Sequence, residues 1–150
     1  MKTNVINLFL FLIFLAVPVL VTAQDEIPKK ANTIVVKIAE GKDGMKVFAR
    51  KMIQAGYEIE KDFELGYVNG IYTKDSKPFK LGLQLKIKAY EEGGKIYVSG
   101  DFSIFQTGRG DFNQFDSIAW KGPKKGAWKS SFGEMLALTE GIGELEFENR

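Results

Sequence analysis

From Leu81 to Ala89 every second residue is apolar: Leu81, Leu83, Leu85, Ile87 and Ala89, with Gly82, Gln84, Lys86 and Lys88 between them. Strict alternation puts one set on a core and the other on the opposite face of a β-strand. Gly93-Gly94 separates this run from a second one, Lys95 to Phe105. Such a pair suits a two-residue hairpin turn with positive φ at both central positions. The register then follows residue by residue. Glu92 faces Lys95, and Ala89–Val98, Ile87–Gly100, Leu85–Phe102 and Leu83–Ile104 meet on the core face. Tyr90 meets Tyr97, Lys88 meets Ser99, Lys86 meets Asp101 and Gln84 meets Ser103 on the other, because a one-residue slip would exchange the faces.

The remaining elements order themselves around this hairpin. "TIVVKIA", Thr33 to Ala39, is β-branched and reads as a first strand. Past Gly41 and Gly44 the period changes to helical: Met45, Phe48, Ala49, Met52 and Ile53 form a stripe, Asp43 is a candidate N-cap and Gly56 a C-terminal cap. "YEIEKDFEL" returns to alternation, with Tyr57, Ile59, Lys61 and Phe63 on one side and Glu58, Glu60, Asp62 and Glu64 on the other. "YVNGIYT" is either a short strand or a tight hairpin at Asn69-Gly70, and "KDSKP" reads as a loop. Gln106–Gly126 is irregular, with a short strand predicted around Ser117–Lys121. A second helical stripe holds Trp128, Phe132, Met135, Leu136 and Thr139, ends at Gly141 or Gly143, and leads to "ELEFE", a candidate terminal strand. The predicted class is α+β: one antiparallel sheet of four to six strands, two helices on one face, order β-α-β-β-β-β-α, the other face open to water.

The chain has 150 residues, enough for one domain, and 45% are hydrophobic, enough for a core. It contains no histidine and no cysteine. That excludes Ser-His-Asp and Cys-His catalysis, disulfides and lipid attachment through cysteine, and disfavours zinc, which prefers thiolate and imidazole. No cofactor is expected. A net charge of +2, with no like-charge block longer than two residues, lacks the basic excess of a nucleic-acid binder.

The opening "MKTNVINLFLFLIFLAVPVLVTAQ" has a positive Lys2, a wholly apolar Leu8–Leu15 run and small residues at Val21-Thr22-Ala23. Residues 1–23 read as a signal peptide cleaved after Ala23, with residues 24–150 as the domain. The apolar run is short beside the roughly 20 residues of a membrane span, and Pro18 follows it. No stable membrane span is therefore expected after cleavage. Of the 21 basic residues only Lys2 lies in the leader, leaving 20 against 19 acidic. An exported chain with neither cysteine nor an Asn-x-Ser/Thr acceptor points to a bacterial protein, periplasmic or secreted.

"IPKKANTIVV", "AGYEIEKD" and "AWKSSFGEMLALTEGIGELEF", between Ile27 and Phe147, resemble a group of small exported bacterial domains of unknown function with a TATA-binding-protein-like fold. The element order is similar to one repeat of that fold. The resemblance implies no catalytic motif. The phenylalanine wedges with which such a fold kinks DNA are replaced on the predicted open face by Lys, Gln, Ser and Tyr, which argues against a nucleic-acid partner.

Glu58, Glu60, Asp62 and Glu64 could supply carboxylates to a small hydrolase, the alternative functional class, but one strand offers no opposing acid across a cleft. "DFNQFD" begins like a calcium loop, yet Phe115 stands where a ligand belongs. Arg109-Gly110-Asp111 reads as a polar turn, and Lys124, Lys125 and Lys129 fall short of a polybasic patch. The favoured reading is a non-catalytic domain that binds an envelope protein or glycan through the open face, at Lys86, Lys88, Tyr90, Tyr97, Ser99 and Asp101. Aromatic rings beside hydrogen-bonding side chains suit such a surface. Composition leaves the partner's identity and the oligomeric state open. Mass spectrometry of the native protein is expected to find Gln24, or its cyclised form, at the N-terminus. An intact Met1 in a membrane fraction would overturn the leader assignment.

Overall fold

The structure, a computed structural model, describes residues 27–76, 81–106, 114–122 and 126–150. The leader, the Arg109–Asp111 tripeptide and Lys124-Lys125 lie outside them. Seven strands form one antiparallel sheet: β1 (Thr33–Lys37), β2 (Glu58–Asp62), β3 (Tyr67–Ser76), β4 (Leu81–Glu92), β5 (Lys95–Gln106), β6 (Asp116–Ser117) and β7 (Glu144–Glu148). The helices are α1 (Gly44–Gln54) and α2 (Gly126–Thr139). The strand order is β2-β3-β4-β5-β1-β7, with β6 continuing the edge of β5 beyond the end of β1. The α+β class therefore holds, but there are more strands than the four to six expected, and the order β-α-β-β-β-β-α gains β6 before the second helix and, after it, β7, the strand for which "ELEFE" is the candidate. β7 finds its partner in β1, the strand furthest from it in the described sequence. No periodicity within "ELEFE" carries that information.

The β4–β5 register is the one that the turn dictates, from Glu92↔Lys95 to Leu83↔Ile104. Gly93 and Gly94 have φ of 59° and 74°, positive at both central positions, where a side chain would be strained. The Asn69-Gly70 hairpin does not form. β3 runs straight through it and on into Ser76, so Lys74–Ser76 is strand rather than loop. Gly70 serves packing instead: a Cβ there would lie 2.3 Å from Met52 Cε of α1.

α1 begins where Asp43 accepts a hydrogen bond from the Lys46 amide, 3.1 Å. It ends in a Schellman arrangement, the Gly56 N–H donating to Ile53 O and the Tyr57 N–H to Met52 O, with Gly56 left-handed at φ 87°. Both helices cover the same face. α1 lies on β2, β3 and β4, α2 on β1 and β5. The Lys51 ammonium ties them together by donating to the Ala137 and Glu140 carbonyls at the C-terminal end of α2. Met45, Phe48 and Met52 of α1 and Phe132, Met135 and Leu138 of α2 share one core with Ile34, Val36, Val68, Leu85, Ile87 and Val98. Ile53, expected in the stripe, is 53% exposed, and Ile104, expected on the core face, is 55% exposed.

Phe132 is fully buried, tilted against Trp120 at 5.6 Å and Phe147 at 6.3 Å. Phe132→Ala is expected to cost about 3–5 kcal/mol in a chemical-denaturation measurement, the transfer loss plus the cavity left between helix and sheet. A loss below about 1 kcal/mol would fit a surface position and break the helix-on-sheet arrangement.

Candidate functional site

The open face is less open than alternation alone implies. Val35 is fully buried on it, Tyr97 is 9% exposed, and Thr33 and Ser103 are buried as well. Rows of side chains run across the strands. One is Asp62–Tyr67–Tyr90–Tyr97–Val35–Glu146, and the next is Glu60–Asn69–Lys88–Ser99–Thr33–Glu148. Each row thus carries acids at both sheet edges and its tyrosines or lysine in the centre.

Tyr90 and Tyr97 stack, ring centroids 4.9 Å apart and planes 14° apart. The Arg150 guanidinium lies 4.1 Å from the centre of the Tyr97 ring and donates from Nη1 to Tyr90 Oη, 2.7 Å. Asn32 positions Arg150: its amide donates to the Arg150 carbonyl, 2.6 Å, and its Oδ1 accepts from the Arg150 N–H, 2.9 Å. Tyr97 is therefore the buried layer of the stack, and Tyr90, 40% exposed, is the layer that solvent meets.

Two hollows flank Lys88. The first, about 290 Å³, is lined by Lys88, Tyr90, Ser99 and Asp101 together with Asn32, Thr33, Ser117 and Arg150. The second, about 260 Å³, is lined by Lys86 and Lys88 from β4, Asn69 and Ile71 from β3, and Glu58 and Glu60 from β2. Four of the six residues singled out from the sequence thus gather in one hollow. Tyr97 lies beneath the rim as support, and Lys86 belongs to the neighbouring hollow. The cross-strand register holds here, but the charges meet on its diagonal. Lys86 sits opposite Asp101 in register, but the ion pair is the diagonal Lys88–Asp101, 3.8 Å. The Lys86 ammonium instead lies over the Phe115 ring, 3.7 Å from its centre, because the segment leading into β6 brings that ring onto the face.

Sequence reasoning missed Asn32, Thr33, Ser117 and Arg150, which reach the hollow through the β1–β5, β5–β6 and β1–β7 pairings. The Glu144–Glu146–Glu148 alternation was a usable signal for β7, but not for its neighbour. Among the described residues, no group of three or more acidic, histidine or cysteine side chains is placed to hold a metal ion, and no helix is long and apolar enough to cross a membrane. Glu58 and Glu60 share one strand and one side of their hollow, with Lys86 and Lys88 facing them. No protein-family model matches the chain, and no curated protein matches it.

At the β7 edge, Glu146 accepts from Lys37, 2.6 Å, and pairs with Lys95 at 3.6 Å. The hydrogen bond from Lys37 holds the Glu146 carboxyl below its usual range, and the same contact raises Lys37. The depressed carboxyl contributes stability above its unfolded value, about 4.3, and loses it as pH falls through the folded value. The raised ammonium contributes below its unfolded value, about 10.4, and loses it as pH rises through the folded value. The pair is intact at neutral pH. In a carbon-detected NMR titration Glu146 is expected to titrate below the ordinary glutamate range, and Lys37→Met to move it back up. An unmoved midpoint would remove Lys37 as the cause.

Proposed function

We propose that the chain is a non-catalytic exported domain that binds a protein, glycan or other component of the bacterial envelope through the open sheet face. On this reading residues 1–23 are its signal peptide, and the chain belongs with the small exported domains of TATA-binding-protein-like fold that its sequence resembles. One observation carries the proposal. Tyr90 offers an exposed ring that is already immobilised, backed by Tyr97 and held at its hydroxyl by Arg150, at the rim of a polar hollow. A preset ring loses little freedom when a partner covers it, so more of the contact energy remains as affinity. The hydrolase alternative draws no comparable support, because its carboxylates face lysines rather than each other across a cleft.

The test is capture of partners from envelope extract by the immobilised protein and by Tyr90→Ser. The variant is expected to lose at least tenfold in capture while still unfolding in one cooperative transition. Its stability loss should stay near the roughly 0.5–1.5 kcal/mol of an aromatic pair. Unchanged capture would leave the face as the wet side of a sheet.

A further inference from the structure

We infer that the two hollows are adjacent subsites for a neutral glycan, one saccharide unit on either side of Lys88. This rests on the open-face reading above and adds the chemical class of the ligand. Size is the first argument. At about 290 and 260 Å³, each hollow falls just under the roughly 300–1,000 Å³ of sites that enclose a whole small molecule. Each suits one ring-sized unit, and their common wall, Lys88, makes them neighbours on a single path across the strands.

Charge is the second argument. The cations lining the two hollows are Lys86, Lys88 and Arg150, and the acids are Glu58, Glu60 and Asp101. The balance is zero. An anionic ligand drawn to the cations would meet a carboxylate in either hollow, and the like charges brought together would oppose its binding. A polyol meets no such conflict. Its hydroxyls both donate and accept, and the lining provides both: ammonium and guanidinium donors, carboxylate acceptors, and the Ser99, Ser117 and Asn69 side chains, which do either.

The third argument is the apolar surface. Each hollow has one exposed apolar wall, Tyr90 at 40% in the first and Ile71 at 44% in the second. The C–H face of a sugar ring needs such a wall beside its polar edge. A protein partner would instead anchor through bulky apolar side chains in deep desolvated pockets, and the first hollow, lined largely by polar and charged groups, offers no such pocket.

The experiment passes proteinase-digested and undigested envelope extract over the immobilised protein and over its Tyr90→Ser and Ile71→Asp variants. Eluates are hydrolysed in acid and their monosaccharides quantified. The expected result is neutral sugar at least tenfold above the Tyr90→Ser eluate, unaffected by the digestion. Ile71→Asp should lower it at least fivefold, because the second unit loses its apolar wall. Tyr90-dependent capture that proteinase abolishes, or whose eluate holds no sugar or mainly uronic acid, would overturn the glycan while leaving the open-face reading in place. Full retention of sugar by Ile71→Asp would overturn the pairing of the two hollows. Absence of any Tyr90-dependent capture from undigested extract would remove both proposals.

Discussion

The two-glycine turn at Gly93-Gly94 sets the register on which the rest of the structure depends. With positive φ at both positions it twists the chain in the sense of the strands it joins and allows one pairing of two twelve-residue strands. That pairing places Leu85, Ile87 and Ala89 beside Phe102, Gly100 and Val98 on the helix side, and Tyr90 beside Tyr97 on the other. A slip of one residue would bring lysines under the helices and leucines into water. The core and the candidate binding face are thus two consequences of a single local constraint.

The sheet then grows outward from that hairpin on both sides. β3 and β2 extend it by short local connections, while β1 and β7 arrive through crossovers that carry the helices. β1 is the strand that closes the molecule. Ile34, Val35 and Val36 are all fully buried, so β1 is covered on both faces, which explains its unbroken β-branched run. Its helix side meets α2, and its other side lies between Tyr97 and Glu146. The acids of β2 and β7 occupy the two ends of the main sheet path. Like charges there oppose edge-to-edge pairing of one copy with another.

The electrostatics of the open face are those of paired charges. Lys88 has Asp101, Lys37 and Lys95 share Glu146, and Arg150 has Glu148. Exposed pairs of this kind contribute little to stability. Their effect is to place donors and acceptors in a fixed pattern without a net field. The buried side carries the opposite feature: the hydroxyls of Tyr57 and Ser131 are enclosed with no hydrogen-bond partner among the described residues. Burial, ahead of the nearby Glu134 and Tyr72, pushes the Tyr57 hydroxyl's ionisation upward and keeps it neutral.

The sequence by itself determined whatever depends on neighbours along the chain. The alternation from Leu85 to Ala89, the glycine pair after Glu92, the Asp43 cap and the Gly56 stop are local signals, and each has the structural outcome its chemistry dictates. The Tyr90–Tyr97 contact was legible for the same reason, since a turn of known length fixes what lies opposite what. Only the tertiary structure decided the rest. It set the order β2-β3-β4-β5-β1-β7, kept β3 straight through Asn69-Gly70 so that Met52 could occupy the space above the glycine, and left Ile53 and Ile104 exposed to water. It also brought Arg150 onto a tyrosine 60 residues away. Strand neighbours are chosen by the fit of whole faces, and no period within one strand records which face it will meet.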